Sequence, residues 1–116
     1  MDGSMDDGGR KVDASVAMDL AGMIAFQDGA VVSRTLVDRE VGTITVFAFD
    51  SGQGLSEHTA PFDAYVQVLE GMAHVMIDGE AHHVGAGQFI IMPANVPHSL
   101  HAPERFKMLL VMIRSR

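Results

Sequence analysis

The alternation of apolar and polar positions changes period once along the chain. Between Asp13 and Gln27, apolar residues fall at Val16, Leu20, Met23 and Ile24, which is helical spacing, with Asp13 placed to cap the start. After Asp28-Gly29 the pattern turns to β-branched and aromatic runs. These cover residues 30–37, 41–49, 64–69, 74–77, 80–84, 88–92 and 106–113. Breaks at Asp38-Arg39-Glu40, the Asp50–Gly54 loop and Asp78-Gly79 separate them, and Asp78-Gly79 between two short runs is a strong signal for a tight hairpin. Short strands at this spacing predict an antiparallel sandwich or barrel. Residues 1–29 read as a tail and arm, the first dozen Gly/Asp-rich and frayed, and residues 30–116 as one β domain.

Composition narrows the function classes. The chain has 116 residues, enough for one domain with a real core. Fifteen acidic against eight basic residues give a net charge of −7, which argues against nucleic acid or an anionic membrane as a partner. There is no cysteine, so disulfides, cysteine zinc sites and cysteine nucleophiles are excluded. No apolar run is long enough to span a bilayer, and no signal peptide is legible, so a cytoplasmic protein is expected. A nucleophile elbow, a phosphate loop and a paired-carboxylate motif are all missing.

Chemistry is concentrated in six histidines: His58, His74, His82, His83, His98 and His101. His58 in Ser56-Glu-His-Thr-Ala-Pro61 and His98 in Pro93-Ala-Asn-Val-Pro-His98 stand at loop-to-strand junctions, where barrels commonly place ligand-binding groups. His74 alternates against Ala73, Val75 and Ile77, so it is expected on the outer face, and His82-His83 on a solvated one. Met92, Met108 and Met112, with Phe47, Phe49, Phe62 and Phe106, are expected to line or back the core.

The spacing of these residues resembles that of a small single-domain cupin, a double-stranded β-helix of the jelly-roll type. The likeness covers roughly residues 41–113. In the first motif, Gly52, His58 and Gly71 fall at the family's positions, and in the second, Gly87, Pro93 and His98. Ala60 and Ala64 stand where the family carries its second histidine and its glutamate, Asn95 for an inner glycine and Ala102 for a final asparagine. Of the usual metal set only His58 and His98 remain, so the resemblance implies at most a weak site for one divalent ion (Fe, Mn, Ni or Zn). Asp63 would join the ligand-binding set if Pro61 introduced a bulge that turned it inward, and Gln67 would need a similar irregularity.

Three functional readings stay open. In the first, a small molecule binds in the cavity, with His58 and His98 at its floor, for sensing, sequestering or non-redox handling. In the second, those histidines hold the metal of an oxygenase or isomerase. The third is an inert structural or interaction module. The exposed edges of so small a barrel predict a homodimer, with residues 30–49 pairing across a two-fold axis.

Overall fold

The computed structural model describes residues 12–115. Nine strands form two antiparallel sheets: β1 (Val31–Arg39), β2 (Gly42–Phe49), β3 (Gly54–His58), β4 (Phe62–Glu70), β5 (Met72–Ile77), β6 (Glu80–Gly85), β7 (Phe89–Met92), β8 (His98–His101) and β9 (Phe106–Arg114). One sheet has the order β1-β2-β9-β4-β7 and the other β3-β8-β5-β6. The expected all-β jelly roll is therefore what the chain forms. Among the described residues, no helix is long and apolar enough to cross a membrane.

Strict alternation fills the space between the sheets. Phe49, Val66, Val68, Ala73, Val75, Phe106 and Met108 are fully buried there, and the Phe49 and Phe106 rings stack at 4.5 Å. Neighbours of opposite parity face outward, so β2 sends Phe47 and Phe49 to this core and Val46 and Ala48 to the other side. The β5–β6 hairpin turns on Asp78 (φ 51°) and Gly79 (φ 83°), both left-handed as a type I′ turn requires. Gly71 closes β4 onto β5 at φ 80°; a Cβ there would lie 2.1 Å from the Arg105 carbonyl oxygen, so only glycine fits.

The N-terminal segment departs from the periodicity. In place of a capped helix from Asp13, the chain runs irregularly, with one 3-10 turn at Ala21–Met23. Met23 and Ile24, supported by Met18, Leu20 and Phe26, pack on Val46 and Ala48 and form a second apolar cluster outside the five-stranded sheet. Tertiary burial overrides the helical spacing, and Gly22 lowers the cost of leaving the helix. Salt bridges from Arg105 to Asp28 (2.6 Å) and Asp50 (2.8 Å) secure the end of this strap. The tail expected over residues 1–12 lies, except for Val12, outside the described residues.

Candidate functional site

A break in strand register builds the site. β3 pairs with β8 at Leu55↔Leu100 and next at His58↔His98, so β3 spends three steps where β8 spends two. Without that extra residue Glu57 would face inward opposite His98. The bulge reverses the parity and sets His58 there instead. The local sequence is rich in polar residues, with no β-branched run, so neither β3 nor β8 stands out as a strand by composition; their pairing with each other and with β5 makes them strands.

The two rings meet edge to face, with centroids 4.4 Å apart and Nε2 atoms 3.2 Å apart. The Nδ1 atom of His58 lies 2.7 Å from the Ser56 carbonyl oxygen, and that of His98 lies 3.2 Å from the Val96 carbonyl oxygen. A carbonyl only accepts, so each Nδ1 donates and must carry its proton. In the neutral rings the two Nε2 lone pairs face each other across 3.2 Å, a repulsive contact that a shared proton or a bound electrophile relieves. Burial holds the His98 pKa below the usual histidine range; the Val96 carbonyl opposes that shift, and the neighbouring His58 charge reinforces it. His98 therefore favours the neutral, lone-pair form.

The pair closes one end of a cavity of about 50 Å³ between the sheets. The rest of the lining is apolar: Leu55, Phe62, Leu100 and Leu110, the alanines Ala60 and Ala64, and Met92, Met108 and Met112. His98 is buried, but His58 is exposed, so the pair marks the mouth of the cavity and not its floor. Asn95 occupies the left-handed region (φ 65°) in the turn before His98, a conformation asparagine tolerates in place of glycine. That turn is tied down by the Asn95 N–H donating to the Ala60 carbonyl and the Ala94 N–H donating to Asp63 Oδ1 (2.9 Å).

Asp63 and Gln67 do not join the pair. β4 runs in regular register past Asp63, with no bulge there, so Asp63 and Gln67 alternate outward from buried Ala64, Val66 and Val68. Asp63 is exposed and anchors the His98 turn from outside, while Gln67 accepts a hydrogen bond from the Tyr65 hydroxyl on the outer face. The irregularity in β4 comes later, between Val68 and Glu70. Among the described residues, no three His, Asp or Glu side chains are placed to hold a metal ion together. Two imidazoles without a carboxylate are an incomplete fit to the ion that a four-ligand set would hold.

The other histidines fall where parity puts them. His74, His83 and His101 occupy directly paired positions across β5, β6 and β8 on the outer face. His74 stacks on His83 at 4.7 Å, and its Nε2 is buried without a hydrogen-bond partner. His82 pairs with inward-facing Val75, so His82 and His83 lie on opposite faces of the sheet rather than sharing a solvated one.

Comparison with known proteins places these features in context. The family model for the cupin domain matches residues 45–114. A conserved Streptococcus pyogenes protein of unknown function is 41% identical in sequence, with 90% of this chain and 92% of that one covered and a TM-score of 0.86. A cupin 2 conserved barrel domain protein from Leptotrichia buccalis is 37% identical over 84% of this chain, with a TM-score of 0.82; the match covers 47% of that longer chain. A cupin superfamily protein from Desulfitobacterium hafniense shares the fold at 24% identity, with 90% and 95% of the two chains covered and a TM-score of 0.84. A search of the curated proteins found no match.

Proposed function

Because the chain belongs to the cupin domain family, we propose that its barrel cavity receives a compact, mostly apolar small molecule whose electropositive group meets the Nε2 lone pairs of His58 and His98. The observation that carries this reading is an apolar cavity ending in two imidazoles whose Nδ1 atoms are both committed to backbone carbonyls. Such a mouth accepts hydrogen bonds and offers none, so it favours a hydroxyl or N–H donor over a carboxylate. One water needs about 10–15 Å³ of such a cavity, so the enclosed space holds only a few non-hydrogen atoms, and any larger guest extends past His58.

Calorimetric titration with phenol and short-chain alcohols tests the proposal. Binding that disappears in the His58→Ala, His98→Ala double variant supports it. Binding unchanged by the double variant overturns it, and so does the absence of any binding to the parent protein, which would leave the barrel an inert module.

A second reading, a metal-dependent cupin enzyme, draws on the 3.2 Å Nε2 separation. Two metal–nitrogen bonds of about 2.0–2.1 Å at a tetrahedral angle put their nitrogens about 3.3 Å apart. An ion held there would supply Lewis acidity toward a substrate oxygen. Elemental analysis of untagged protein decides between the two readings. The companion proposal of a homodimer draws on β1, which ends the five-stranded sheet with one edge unpaired among the described residues. Sedimentation as a monomer at micromolar concentration would overturn it.

A further inference from the structure

The donors around the His58–His98 mouth point to a different ion from the hard or borderline divalent ions that the sequence resemblance implies. Ala64 occupies the position of the family's glutamate, and it pairs directly with Met92 on one side and with Met112 on the other. All three residues line the cavity. Directly paired positions across a sheet place their Cβ atoms about 4.5–5.5 Å apart. Met92 and Met112 thus flank Ala64 in the cavity wall, and its methyl group leaves the space beside them open.

Two properties of this set act together. Thioether sulfur with imidazole nitrogen is a soft donor combination that selects Cu(I), whereas Mg, Ca and Mn ions prefer oxygen donors, of which this lining offers no side-chain example. Every donor is also neutral. A divalent ion would leave two uncompensated charges against an apolar wall, and a monovalent ion leaves one. Because desolvation cost rises with the square of the charge, that difference is about fourfold.

We propose that the cavity mouth is a site for a soft monovalent metal ion, Cu(I), held by the Nε2 atoms of His58 and His98 and a thioether of Met92 or Met112. The inference rests on the reading that this end of the cavity is where the chain binds its guest. The chain has no cysteine, so no thiolate competes for the ion.

The test is an anaerobic titration of the full chain with Cu(I) against a chromophoric competing chelator, with Zn(II) titrated in parallel. X-ray absorption at the copper edge then reads the ligand atoms. The expected result is one equivalent of Cu(I) with sulfur in its shell. In the Met92→Leu, Met112→Leu double variant, Cu(I) affinity should fall at least about tenfold while that for Zn(II) changes little. Leucine keeps the volume, so the fold should survive; if melting shows otherwise, Met92→Leu and Met112→Leu are read singly, and the inference requires that at least one of them weakens Cu(I) binding. Equal Cu(I) affinity in parent and methionine variant, or a shell without sulfur, overturns the inference. If that happens while phenol or Zn(II) still requires His58 and His98, the pocket reading stands alone. If no guest responds to the histidine pair, both readings fall.

Discussion

The molecule carries two groups of histidines in the same sheet, with different consequences. His58 and His98 face the interior, each with Nδ1 held by a carbonyl two residues earlier, and their Nε2 atoms meet at 3.2 Å. His74, His83 and His101 line up across the outer face, and His74 lies ring on ring with His83 at 4.7 Å. The outer row has more imidazoles, but among the described residues it has no carbonyl anchors that fix where its nitrogens point. A binding site here requires oriented lone pairs next to enclosed space, and the β3 bulge supplies both by turning one residue inward.

The comparison can be tested most severely by rebuilding the inner group. Ala60→His with Ala64→Glu should raise Zn(II) or Mn(II) affinity by about a hundredfold or more, since it moves the site from two donors toward four. Titration reads the gain, and its absence would mean that the inward side of β4 does not address the histidine pair. In the metal-free protein the same variant should melt lower, because Ala64 is buried and a carboxylate there lacks a partner.

Removing members of each group should separate them next. His98→Ala takes away a buried ring and leaves a void, and should cost about 1–3 kcal/mol in denaturant unfolding. Loss of exposed His83 or His101 should stay within about 0.5 kcal/mol. Equal effects would erase the distinction.

A smaller effect separates the groups by pH. The folded-state pKa of His98 lies below its unfolded value because burial disfavours the imidazolium. Between the two values the unfolded chain binds more protons. The His98 contribution to stability is therefore complete above the unfolded pKa, near 6.5, and is lost as pH falls from there toward the folded pKa. Unfolding free energies measured across this window should slope upward with pH, and His98→Gln should flatten the slope. A modest effect on binding is expected of Asp63→Ala. It removes the bond to the Ala94 N–H outside the cavity and should cost about 0.5–1 kcal/mol, with phenol binding weakened only a few-fold.

How much of this was legible depends on what each signal measures. β-branched runs report a buried, pleated surface, so β1, β2, β4 to β7 and β9 were readable to within a few residues. Residues 54–58 and 98–101 carry no such run, and their strands exist through pairing, which a single chain read in order does not display. Histidine spacing named the pair that meets, because a family pattern preserves positions through bulges that parity counting misses. Parity alone would have turned His58 outward, just as it correctly turned His74 outward. Asp63 and Gln67 were candidates only if β4 were irregular beside them, and its irregularity lies after Val68. The position of His58 at the mouth was not readable, since exposure depends on how the sheets splay. The strap over residues 13–27 mimics a helix because a segment lying across a sheet also needs apolar residues every few positions.

That strap bears on how the protein should be cut for laboratory work. The family match begins at residue 45, in the middle of β2. A recombinant fragment trimmed to that boundary would sever the strand, discard β1 and uncover Val46, a side chain with no solvent contact in the intact chain. The smallest piece worth expressing starts no later than Val12, and a fusion partner joined closer to the barrel would displace the layer that keeps the outside of the sheet dry.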